Sequence, residues 1–90
     1  MTPKRSKRCV LDKAFVEDLL WWTEHNPRIA VRVLRLIGDV LRDPTTGIGK
    51  PELLKSLGPG MWSRRITQEH RLTYCVTADT IDFLQARHHY

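Results

Sequence analysis

Residues 60–87, "GMWSRRITQEHRLTYCVTADTIDFLQAR", decide the fold. Within them "MWSRRIT", "HRLTYCVT" and "TIDFLQAR" are rich in aromatic and branched residues, and short polar turns separate them. Runs of this kind fit a pleated surface, and links this short suit hairpins. The stretch therefore predicts an antiparallel meander of three strands. In its middle strand, alternation sends Leu72, Tyr74 and Val76 one way, onto the rest of the protein. Arg71, Thr73 and Cys75 point the other way, towards an open face.

Upstream of the meander the apolar period is helical. Asp12 stands where an N-cap is needed for a helix over "KAFVEDLLWWTEH". Phe15, Leu19 and Trp22 fall on one face of it, and Val16 with Leu20 widens that stripe. Asn26 is placed to cap a second helix, with Pro27 in its first turn, running to about Arg42. Ile29, Val33, Leu36, Ile37 and Val40 form its buried face, and Arg28, Arg32, Arg35 and Arg42 share the opposite one. Such an arginine stripe is either a solvated face or a surface for a phosphate backbone.

"CVL" supplies a short strand ahead of the helices, and "MTPKRSKR" has no apolar pattern and reads as a flexible basic arm over residues 1–8. "DPTTGIGKP" is a loop, and "GPG" after "ELLKSL" marks a sharp turn. The expected architecture is α+β in one domain over residues 1–90. A β-α-α unit precedes three or four antiparallel strands, and the helices pack on one face of the sheet.

The chain has 90 residues, enough for one modest core, and its apolar fraction of 41% is ordinary for a globular protein. Fifteen Lys and Arg against ten Asp and Glu give a formal charge of +5, which suits a polyanionic partner. Cys9 and Cys75 lack C-x-x-C spacing and fit reduced thiols in the cytoplasm better than a disulfide. No apolar run approaches membrane-spanning length, so no membrane partner is expected.

The open face is where chemistry would sit. The loop ahead of the sheet brings Lys50, Glu52 and Lys55. The strands bring Trp62, Arg64, Arg65 and Arg71, and the chain end brings His88, His89 and Tyr90. A basic groove with aromatic side chains suits single-stranded RNA. RNA carries its own nucleophile, the 2′-hydroxyl. Cleavage then needs a base to take that proton, an acid for the leaving 5′-oxygen, and a cation for the transition-state charge. Glu52, His89 and Arg71 can fill these roles without a metal or other cofactor. Each has a plainer reading too: Glu52 between two lysines fits a surface ion pair, and Trp62 and Tyr74 fit a core. His88 and His89 face opposite ways on a strand, so only one can serve a single site. His25, His70, His88 and His89 have no recognised metal-ligand spacing.

"GKPELLK", "GMWSRRITQEHRLTYCVT" and the final "RHHY" occur in this order, and together they resemble the YoeB-type toxins of the RelE/ParE superfamily. The resemblance covers nearly the whole chain. Residues 1–7 extend beyond the usual family start, and Met61 replaces a bulkier aromatic. The resemblance implies a ribosome-dependent endoribonuclease, the toxin of a type II toxin–antitoxin pair, which cuts messenger RNA at the A-site codon. It makes Glu52 the general base, Arg71 the transition-state cation and His89 the general acid, with Tyr90 positioning substrate. Lys50, Lys55, Arg64 and Arg65 become RNA contacts. A carboxylate on Tyr90 beside His89 would favour its protonated form. The implied partners are a YefM-like antitoxin, a second copy of the toxin, and operator DNA through the antitoxin complex alone. The alternative on the same fold is a ParE-like toxin that inhibits DNA gyrase without catalysis.

Overall fold

The structure, a computed structural model, describes residues 7–88. A short strand β1 (Arg8–Leu11) leads into helices α1 (Lys13–His25) and α2 (Pro27–Arg42). A loop then reaches the two-residue strand β2 (Glu52–Leu53) and a 3-10 turn at Lys55–Leu57. The meander follows as β3 (Met61–Arg65), β4 (Arg71–Val76) and β5 (Thr80–Gln85). The five strands lie in the order β1-β5-β4-β3-β2, antiparallel except for β1, which runs parallel to β5.

The local signals act as their chemistry dictates, with one substitution of means. The Asp12 carboxylate accepts from the Ala14 N–H at 3.3 Å and starts α1. Asn26 makes no side-chain cap; its backbone carbonyl accepts from Ile29 and Ala30 while Pro27 presets the first turn of α2. Phe15, Trp22, Val33, Leu36 and Val40 from the helices meet Leu72, Tyr74, Ile81 and Phe83 from the sheet in a single core. Each large apolar side chain buried there contributes about 1.5–3 kcal/mol. Val16 and Leu20 do not join this core and remain exposed, so the buried stripe of α1 is narrower than its apolar pattern.

Strand alternation corrects the expected open face. Trp62 opposes Tyr74 and Arg64 opposes Leu72, so both point towards the helices. Arg64 is wholly buried there, which removes it from the expected RNA contacts, and Trp62 packs half-buried against the core. The face away from the helices carries Met61, Ser63 and Arg65 of β3 opposite Cys75, Thr73 and Arg71 of β4. Its centre is not open, because Ser63 and Thr73 are buried. Arg32 leaves the expected arginine face as well: its guanidinium donates to the carbonyls of Ile66 at 2.6 Å and Arg65 at 3.1 Å.

Residues 1–6 of the expected arm lie outside the described residues. Lys7 and Arg8 are no part of a free arm, since Lys7 Nζ donates to the Thr77 and Ala78 carbonyls and Arg8 opens β1. Cys9 and Cys75 are free thiols. No helix among the described residues is long and apolar enough to cross a membrane.

Candidate active site

Glu52 opens β2, a strand of only two residues that pairs with β3 and follows closely on a loop. Its position therefore depends on the loop before it. That loop turns at Gly47 and Gly49, with φ of 125° and 80°, and Lys50 follows at φ 51°. Glycine accepts such angles freely and lysine does so at a cost, so the backbone here is held by its surroundings. The holding group is Arg64. Its guanidinium donates to the Asp39 carboxylate and to the carbonyls of Asp43 (2.6 Å), Thr46 (2.9 Å) and Ile48 (3.1 Å). Its Nε reaches the Tyr74 hydroxyl, which in turn donates to the Pro44 carbonyl at 2.6 Å.

The electrostatics of this anchor follow from its contacts. The Arg64 hydrogen bond, helped by the Ile48 amide, holds the Asp39 carboxyl below its ordinary value. Asp43 falls to about 2, chiefly through the Thr45 N–H that it accepts. Burial pushes the Tyr74 phenol up, with Arg64 opposing.

Past the loop, Glu52 pairs with Ser63, Ser63 with Thr73, and Thr73 with Gln85 in one row across the sheet. Arg65 and Arg71 oppose each other two residues along, in the next row on the same face. Arg71 Nη1 lies 3.6 Å from Glu52 Oε2, an ion pair rather than a close hydrogen bond. The Glu52 side chain is 61% exposed and that of Arg71 25%, so an incoming molecule can reach both. Lys50, Lys55 and Arg65 are exposed around them and give the rim its positive charge.

The chain end is brought to the same place by α1. The Ala86 N–H donates to Asp18 Oδ2 at 2.9 Å, and its carbonyl accepts from Trp22 Nε1 at 2.7 Å. The Arg87 guanidinium lies 3.7 Å over the Trp21 ring, which also stacks with His25 and meets Trp22 edge-on. The His88 carbonyl then accepts from the Arg71 N–H at 3.3 Å. His89 and Tyr90 lie outside the described residues; the residue before them is tied to Arg71.

Of the expected site residues, Glu52, Arg71, Lys50, Lys55 and Arg65 stand on one accessible rim, and Arg64 stands behind it. Sequence reasoning missed Asp39, Asp18, Trp21 and Ser63. Asp18 is about one turn from Trp22 and Trp21 one residue, but a helical pattern gives no sign that they hold Ala86 and Arg87. The Ser63 hydroxyl is buried without a partner among the described residues.

A glutamate and an arginine from separate strands meet on a basic rim, beside the point where the His88 carbonyl is tied to Arg71. A family model for the YoeB-like toxin of bacterial type II toxin-antitoxin systems matches residues 11–90. The chain belongs to this family. Toxin YoeB of Mycobacterium bovis is 50% identical over 74 residues, covering 82% of this chain and 87% of the relative. The solved YoeB dimer from Staphylococcus aureus superposes with a TM-score of 0.84 at 31% identity, covering 96% of this chain and 100% of that one. The YoeB–YefM complex from the same organism superposes at 0.78 and 31% identity, with the same coverage. The β-α-α order and the mostly antiparallel sheet are thus those of YoeB toxins, as the sequence motifs implied.

Proposed function

We propose that this toxin is a ribosome-dependent endoribonuclease that cuts messenger RNA at the A-site codon. The Glu52–Arg71 pair on the reachable face of the sheet carries the reading. Glu52 takes the proton from a 2′-hydroxyl, and the freed oxygen attacks the adjacent phosphorus. A new 2′-O–P bond forms as the P–O5′ bond breaks, and His89 gives its proton to the departing 5′-oxygen. The products are a 2′,3′-cyclic phosphate and a 5′-hydroxyl. Arg71 stabilises the extra charge on the phosphoryl oxygens, where a fork of donors outperforms a point charge. Tyr90 helps seat the substrate, and Lys50, Lys55 and Arg65 hold phosphates on either side.

The same surface explains neutralisation. An acidic segment of a YefM-like antitoxin competes with RNA for the basic rim, favoured by the formal charge of +5. The toxin acts in the cytoplasm, pairs with a second copy of itself as the S. aureus relative does, and meets operator DNA only through the antitoxin.

Primer extension on a defined messenger RNA, with and without programmed ribosomes, tests the reading. Cuts within the A-site codon should need ribosomes and vanish in Glu52→Ala and His89→Ala. A chain that cuts nothing under either condition, or mutants that cut as the native chain does, would overturn it.

A further inference from the structure

Arg64 is a charged side chain on a strand face that otherwise meets an apolar core. A guanidinium out of water is tolerated only when its donors are matched, and an apolar side chain of like volume often does as well for stability. What distinguishes Arg64 is the direction of its contacts. Four of its partners, Asp39, Asp43, Thr46 and Ile48, belong to the end of α2 and the loop after it. The fifth, Tyr74, passes the connection back to Pro44 in that same loop. The Asp39 carboxylate also accepts from the Ile48 N–H at 2.9 Å, so it grips the loop and the guanidinium together. The backbone then fits closely: a Cβ on Gly49 would stand 3.2 Å from Arg64 Cβ and 3.0 Å from Leu36 Cδ2. The Arg65 N–H takes the Gly49 carbonyl at 2.6 Å, three residues before Glu52.

We propose that Arg64 and Asp39 are positioning residues for cleavage: together they fix the loop of residues 43–50 and so set the Glu52 carboxylate against Arg71. Arg64 touches no substrate. It acts through the loop, and the inference rests on the reading of Glu52 as the base. A base displaced by a fraction of an ångström loses rate without losing affinity.

The test compares the native chain with Asp39→Asn, Arg64→Lys and Arg64→Met. Amide hydrogen exchange reports the loop at Ile48 and Arg65, and the body of the fold at Asn26 and Val76. Single-turnover cleavage on programmed ribosomes separates kcat from KM. In Asp39→Asn we expect protected body amides, loop amides exchanging at least about tenfold faster, and kcat down at least about tenfold with KM within about threefold. Arg64→Lys should fall the same way, because a point charge cannot serve five acceptors. If Arg64→Met fails to fold, Asp39→Asn and Arg64→Lys decide. Loop amides that stay protected in the folded variants would overturn the inference. So would a released loop with native kcat, or a loss of rate that only tracks the folded fraction. A native chain that cuts nothing would overturn the proposed function and this inference with it, whereas a cutting native chain isolates the loop as the thing tested.

Discussion

Arg71 Nη1 and Glu52 Oε2 approach to 3.6 Å although β3 lies between their strands. Neighbouring strands are about 4.8 Å apart, so the two side chains must span roughly twice that distance. The strand between them presents Ser63 directly opposite Glu52, with a short, buried side chain. A glutamate opposite Ser63 and an arginine opposite Arg65 thus meet diagonally across β3, on the face where Ser63 offers only a short side chain. The arrangement keeps the carboxylate and the guanidinium together on a face that solvent reaches.

The pair should matter to rate and scarcely to stability. Exposed ion pairs contribute about 0–1 kcal/mol, so Glu52→Gln and Arg71→Lys should unfold within about 1 kcal/mol of the native chain. Cleavage should fall by about a hundredfold or more in Glu52→Gln, which keeps the shape and loses the base. Arg71→Lys keeps the charge and loses the fork, and should also cost about a hundredfold. Urea titrations beside cleavage rates check both halves. Equal losses of stability and rate would show that the pair is merely structural.

Ser63 gives a sharper version of the same argument. Its hydroxyl has no partner among the described residues, so Ser63→Ala should leave stability unchanged or raise it slightly, within about 1 kcal/mol. Ser63→Leu places a branched side chain where Glu52 and Arg71 cross. Overpacking there should cost about 1–3 kcal/mol, and cleavage should fall well beyond the loss of folded protein. A Ser63→Leu chain that folds and cuts normally would show that the pair needs no gap.

Much of this was legible in the residues, and what was not has a physical cause. The change of period at Gly60 gave the meander, and Asp12 and Pro27 gave both helix starts. Glu52 and Arg71 were singled out by chemistry and by the order of the motifs. Arg64 was misplaced because charge was weighed above alternation: adjacent residues on a strand cannot share a face, so Arg64 and Arg65 had to part. The partner that lets Arg64 turn inward, Asp39, lies 25 residues away, and such a long-range match leaves no local trace. The grip of α1 on Ala86 and Arg87 was hidden for the same reason, since Asp18 and Trp22 lie more than 60 residues from Ala86.

That grip can be loosened one bond at a time. Trp22→Phe keeps most of the ring in the core and removes the N–H given to the Ala86 carbonyl. An orphaned buried carbonyl costs about 1–3 kcal/mol, which the urea midpoint will show. If the tether also orders the chain end for catalysis, cleavage should drop further than the folded fraction does. Trp21→Ala removes the platform under Arg87 and should add to the effect on rate with less effect on stability, because Trp21 is only half-buried. Rates that follow folded fraction alone in both variants would confine α1 to a packing role.

The loop anchor also fixes how stability responds to acid. Asp39 and Asp43 both titrate below the ordinary value of 3.8 in the folded chain, Asp39 mainly through Arg64 and Asp43, at about 2, mainly through the Thr45 amide. Unfolded, they return to ordinary behaviour and take up protons first as pH falls. The unfolded state then binds more protons, and stability declines with falling pH through the window from about 4 to 2. Above about pH 5 the two carboxylates are ionised in both states, and their contribution is full and constant. The urea midpoint, followed by tryptophan fluorescence, should therefore stay level as far as these groups are concerned from about pH 7 to 5 and fall steeply below 4. In Asp39→Asn with Asp43→Asn the neutral-pH midpoint should be lower and the acid limb shallower, the two curves converging near pH 2. Parallel curves through that window would mean that neither carboxylate supports the fold through its charge.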